Sequence, residues 1–94
     1  MRLPEHIAHD IDEAEKTPMP ILPGDDAPIE MRTEAYRRFC EAELHKAMRL
    51  AALRDELYTV AMCSNDVPNW IVATARAAAV AAAIHLATLE RRLR

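Results

Sequence analysis

Glycine is nearly absent from this 94-residue chain, Gly24 being the only one. A phosphate-cradling loop needs glycines where the backbone closes on the ligand, so that class of nucleotide site is excluded. Aromatic residues are as scarce: Tyr36, Phe39, Tyr58 and Trp70 are the whole set. With few aromatic and β-branched side chains there is little to fill a pleated sheet, which argues against strands. Cysteine occurs twice, as Cys40 and Cys63. On one helix the two are roughly 35 Å apart at about 1.5 Å per residue. A disulfide needs Cα atoms within about 7 Å, so no intrachain bridge is expected. Long apolar runs are missing too. Arg76 and His85 break the most apolar stretch before it reaches the roughly 18–20 residues of a membrane span. The first residues, Met1-Arg2-Leu3-Pro4-Glu5-His6, lack the apolar segment of an export leader. Reduced cysteines and no leader predict a cytoplasmic protein with no membrane partner.

Alanine is abundant, with 18 residues, and leucine, arginine and glutamate accompany it. These are strong helix formers. Arginine outnumbers lysine ten to two. Alanine and arginine share GC-rich codons, which fits a bacterial or phage source. The net charge of −3 is unevenly spread. Residues 1–30 hold eight acidic and two basic side chains, whereas residues 31–94 hold seven and ten. An acidic leader on a mildly basic body suits an arm that contacts its own domain or a basic partner.

Residues 1–27 read as an acidic, proline-rich arm. Leu3, Ile7, Ala8, Ile11 and Ala14 recur at helical spacing and allow a short helix. Pro18, Pro20, Pro23 and Pro28 then forbid its continuation. Residues 28–94 read as an antiparallel hairpin of two long helices, over about 29–62 and 67–93. The first opens near Pro28: Asp25 or Asp26 can cap it, and proline suits a first turn. Ser64, Asn65 and Asp66 form the break, and Pro68 sits early in the second helix. Similar lengths and a short connection predict antiparallel neighbours. The expected fold is therefore all-α, a helical hairpin with a Pro-rich arm that dimerises as a four-helix bundle. About 65–75% of residues are expected in helix.

The second long helix is apolar on nearly every side of its middle. Such a helix is normally covered all round, and one neighbour cannot cover it. Either the arm or a second chain must do so. Trp70, Ala78, Val80, Ala82, Ile84 and Leu89 are the predicted self-association residues of a homodimer. Arg37, Arg38, Arg49 and Arg54 are the candidate surface for a partner protein or for nucleic acid. Glu34, Glu41, Asp55 and Glu56 lie among them and weaken the field, and no zinc spacing or glycine-containing helix-turn-helix signature accompanies them. His6, His9 and Asp10 share a helical face, but no further Cys or His completes a metal site. His45 lies on the polar face. His85 interrupts the apolar one. Arg91, Arg92 and Arg94 complement the helix dipole at the chain's end.

No nucleophile is set beside a base, and no catalytic residue, metal or cofactor is expected. The sequence thus predicts a non-catalytic protein–protein interaction module, an adaptor, inhibitor or antitoxin-like accessory protein with an unidentified protein partner. The rival is a small nucleic-acid-associated regulator that uses the arginine-bearing face.

Overall fold

A computed structural model of the chain describes residues 2–92. It is all-α, with three helices and 78% of the described residues helical. They are α1 (Pro4–Glu15), α2 (Ile29–Cys63) and α3 (Asn69–Arg92). Leu93 and Arg94, placed by the sequence at the end of the last helix, lie outside the described residues.

Three helices overturn the expected two-helix hairpin with an arm, and with it the four-helix bundle built from two such hairpins. The reason lies in α1. Its Ile7, Ile11 and Ala14 are buried, at i, i+4 and i+7. They pack on Leu53 and Val60 of α2, with Leu50 and Leu57 beside them. A helix of 12 residues is marginal alone in water. Fully burying an isoleucine contributes about 1.5–3 kcal/mol, so this contact stabilises the helix and makes α1 part of the core.

Proline marks the start of all three helices. Pro4 opens α1, where the carbonyl of Leu3 accepts the amides of His6 and Ile7 at 3.0 and 3.2 Å. The carbonyl of Pro28 accepts the amide of Arg32 at 3.0 Å, and that of Pro68 accepts the amides of Ile71 and Val72 at 3.0 and 3.3 Å. Identical turn patterns over residues 25–27 and 65–67 precede these last two prolines. At the first helical position, as with Pro4, proline has no amide to leave unpaired and its φ is already near-helical. Of the two start signals before α2 the structure uses the proline and neither Asp25 nor Asp26: Pro28 is the N-cap of α2, which has no side-chain cap. The structure also moves the start of α3 from Val67 to Asn69.

Helix α2 is the hub. Both α1 and α3 pack on it, and α1 does not touch α3. Both neighbours run antiparallel to α2. Arg2 pairs with Glu56 while Lys46 reaches the far end of α1, and Arg92, at the end of α3, pairs with Glu43, about 20 residues back along α2 from the turn that joins the two helices. With 35 residues against 24, α2 outruns α3 by about 16 Å. Ile29, Met31 and Tyr36 on that overhang are exposed.

Candidate interaction surface

Among the described residues no polar or charged side chain is buried. They contain no group of three or more His, Cys, Asp and Glu side chains able to hold a metal. His6 and His9 are exposed, and Asp10, their proposed companion, bonds Arg2 instead. His45 is exposed. His85 is also exposed, at the rim of a groove between α2 and α3 that Leu50, Arg54, Ala78 and Ala82 help to line. Cys40 and Cys63 are both free thiols on α2.

The four arginines of the candidate binding surface do not form one face. Arg37 and Arg38 lie on the overhang of α2 and share Glu34, at 2.8 and 3.3 Å. The hydrogen bond from Arg37 holds the Glu34 carboxyl below its ordinary range, and Glu34 raises Arg37 in return. Arg54 pairs with Glu15 of α1. Arg49 is exposed, close enough to Asp10 to favour its charged form. Three of the four are thus spent on neighbouring carboxylates.

Ion pairs and hydrogen bonds that the sequence reading did not identify fasten α1 at both ends. Arg2 donates to both Asp10 and Glu56, with 2.7 and 2.8 Å to the Glu56 oxygens. Arg2 therefore lowers the pKa of both carboxyls through its hydrogen bonds, and its own is raised, first by Glu56. At the other end Lys46 Nζ donates to the carbonyls of Glu15 and Thr17, at 2.8 and 3.3 Å. Residues this far apart leave no local spacing to find them by. The charge asymmetry is the one signal that could have pointed there.

Helix α3 is the anomaly. By length and composition it is apolar enough to cross a membrane, yet none of its 18-residue apolar window is buried. Leu89, 3% exposed, is its only buried residue. Along the side against α2, Ala75, Ala78, Ala82 and Leu86 are half-buried. Along the opposite side Trp70, Ala73, Ala77, Val80 and Ile84 are exposed, with Trp70 at 70%, Val80 at 50% and Ile84 at 61%. These steps of three, four, three and four are those of a coiled-coil seam. Tyr58 of α2 borders this face beside Val72, Arg76 and Val80. The structure therefore divides the predicted self-association residues. Trp70, Val80 and Ile84 are exposed, Val80 at the edge of the face beside Tyr58 of α2, whereas Ala78 and Ala82 are half-buried and Leu89 is buried. The acidic arm, the other candidate cover, sits on α2 and leaves α3 bare.

No protein-family model, curated protein or solved structure matches the chain.

Proposed function

We propose that the chain is a non-catalytic protein-interaction module, an adaptor, inhibitor or antitoxin-like accessory protein, that works by laying the outer face of α3 against another protein surface. One observation carries this reading: a seam of Trp70, Ala73, Ala77, Val80 and Ile84 stands exposed on a helix whose 18-residue apolar window is nowhere buried. Contiguous apolar surface of this kind marks an interaction site. Covering it contributes about 25 cal/mol per Å² removed from water. A protein suits the face better than a bilayer does. Helix α2 packs along α3 and carries Arg49, Asp55 and Glu56. Charged groups at membrane depth cost several kcal/mol each, about 2.5–3.5 on insertion scales.

The test is a photo-crosslinking side chain placed at Ile84 in the native host, with a control at Glu13 on the exposed side of α1. The expected result is protein adducts from position 84 and none from position 13. Lipid adducts alone, or none at all, would overturn the reading.

A further inference from the structure

Resting on that reading, the pattern of sizes and charges along the seam names its occupant. We infer that the outer face of α3 is covered by a second copy of this chain, with the two α3 helices antiparallel and crossing midway between Ala77 and Val80. In that register Ala77 faces Val80 of the second copy, Ala73 faces Ile84, and Trp70 faces Ala87. Every large side chain meets a small one, which is what close packing of two helices requires. A parallel pair would set Trp70 on Trp70 and Ile84 on Ile84 and leave a gap between the alanines.

Charge agrees with size. A parallel pair would oppose Arg91 to Arg91 across the seam. The antiparallel register removes that repulsion. It brings Arg91 beside Asp66 of the second copy and Glu90 beside Asn69, whose amide can donate to it. Arg76 falls next to Ala83. Asp66, Arg76, Glu90 and Arg91 are exposed and form no ion pair among the described residues, so each is free to serve a partner. Because the seam lies opposite α2, the two copies form a row in the order α2, α3, α3, α2. This differs from a bundle around one axis, and each α1 stays outside the contact.

Sedimentation velocity on the full chain reads the mass directly. The expected mass is twice that of the chain at tens of micromolar. Ile84→Glu should return it to one, with the circular dichroism of wild type, because Ile84 has no role in the core. Asp66→Arg and Arg91→Asp should each raise the dissociation constant a few-fold, the size expected of an exposed ion pair. The double variant should recover most of the loss. A monomer at all concentrations overturns the inference, as does a dimer indifferent to Ile84→Glu. A charge swap that fails to recover affinity overturns the antiparallel register. Crosslinks from position 84 to a different protein, from a chain that is monomeric, would remove the second copy and leave the interaction module standing.

Discussion

Helices α1 and α3 are near opposites. The first is short and acidic, the second twice as long and dominated by alanine. Yet α1 buries three residues and α3 only Leu89. Apolar composition and burial are different properties. Isoleucine reaches across an interface and fills it, whereas alanine lets two backbones approach and fills little. Helix α1 is also fastened by Arg2, Arg54 and Lys46, whereas one ion pair, Arg92 to Glu43, joins α3 to α2.

Removing α1 should break this contrast most severely. A chain starting at Ala27 bares Leu50, Leu53, Leu57 and Val60 to water, and it should aggregate or melt far below wild type in a thermal scan. Ile7→Ala is the gentler form of the same experiment. It leaves a cavity at a site that is 0% exposed and should cost about 2–5 kcal/mol in urea unfolding. On α3 the same probe separates the two faces. Leu89→Ala should cost about 2–5 kcal/mol, whereas Ile84→Ala, measured dilute enough to keep copies apart, should change stability by under about 0.5 kcal/mol. Equal losses would mean that both sides of α3 are packed. Enlarging alanines sharpens the point in the other direction. Ala78→Leu or Ala82→Leu forces α3 off α2 and should cost about 1–3 kcal/mol, and Ala77→Leu in the dilute monomer should be nearly silent.

The smallest effect is on pH. Arg2 holds Asp10 and Glu56 below the ordinary carboxylate range through its hydrogen bonds. A lowered folded-state pKa adds stability at pH above the unfolded value, about 4, and that stability is lost as the pH falls through the folded value. Acidification below about 4 should therefore loosen α1 before α2 or α3. Amide hydrogen exchange checks this as an earlier rise at Ile7 and Ile11 than at Leu89. The pairs are exposed, so the shift is small.

The all-α class was legible because proline and glycine punctuate so little of the chain after Pro28. The start of α2 was legible too, in Pro28, and the break between α2 and α3 in the run from Ser64 to Pro68. At the start of α2 the sequence offers both a capping aspartate, Asp25 or Asp26, and Pro28, and nothing local says that the proline alone is used. The docking of α1 was not legible in detail. Ile7, Ile11 and Ala14 show a face, but nothing local says whether it lies on α2 or α3. The seam on α3 was hidden for a different reason. Alanine occupies so many consecutive positions that 3–4 spacing can be found on any side, and only the direction of α2 reveals which set is left over.

Residues 16–28, irregular and proline-rich, join α1 to α2. Between the level of Lys46 and the start of α2 they must cover about 26 Å. Fully extended they would reach about 43 Å, so the segment is a slack tether. An undocked α1 thus stays within reach of its own site at an effective concentration of the order of millimolar. A free peptide copying α1 would need a comparable concentration to displace it. The first helix therefore behaves as a bound ligand that cannot diffuse away, and dilution, which separates one chain from another, leaves this contact untouched.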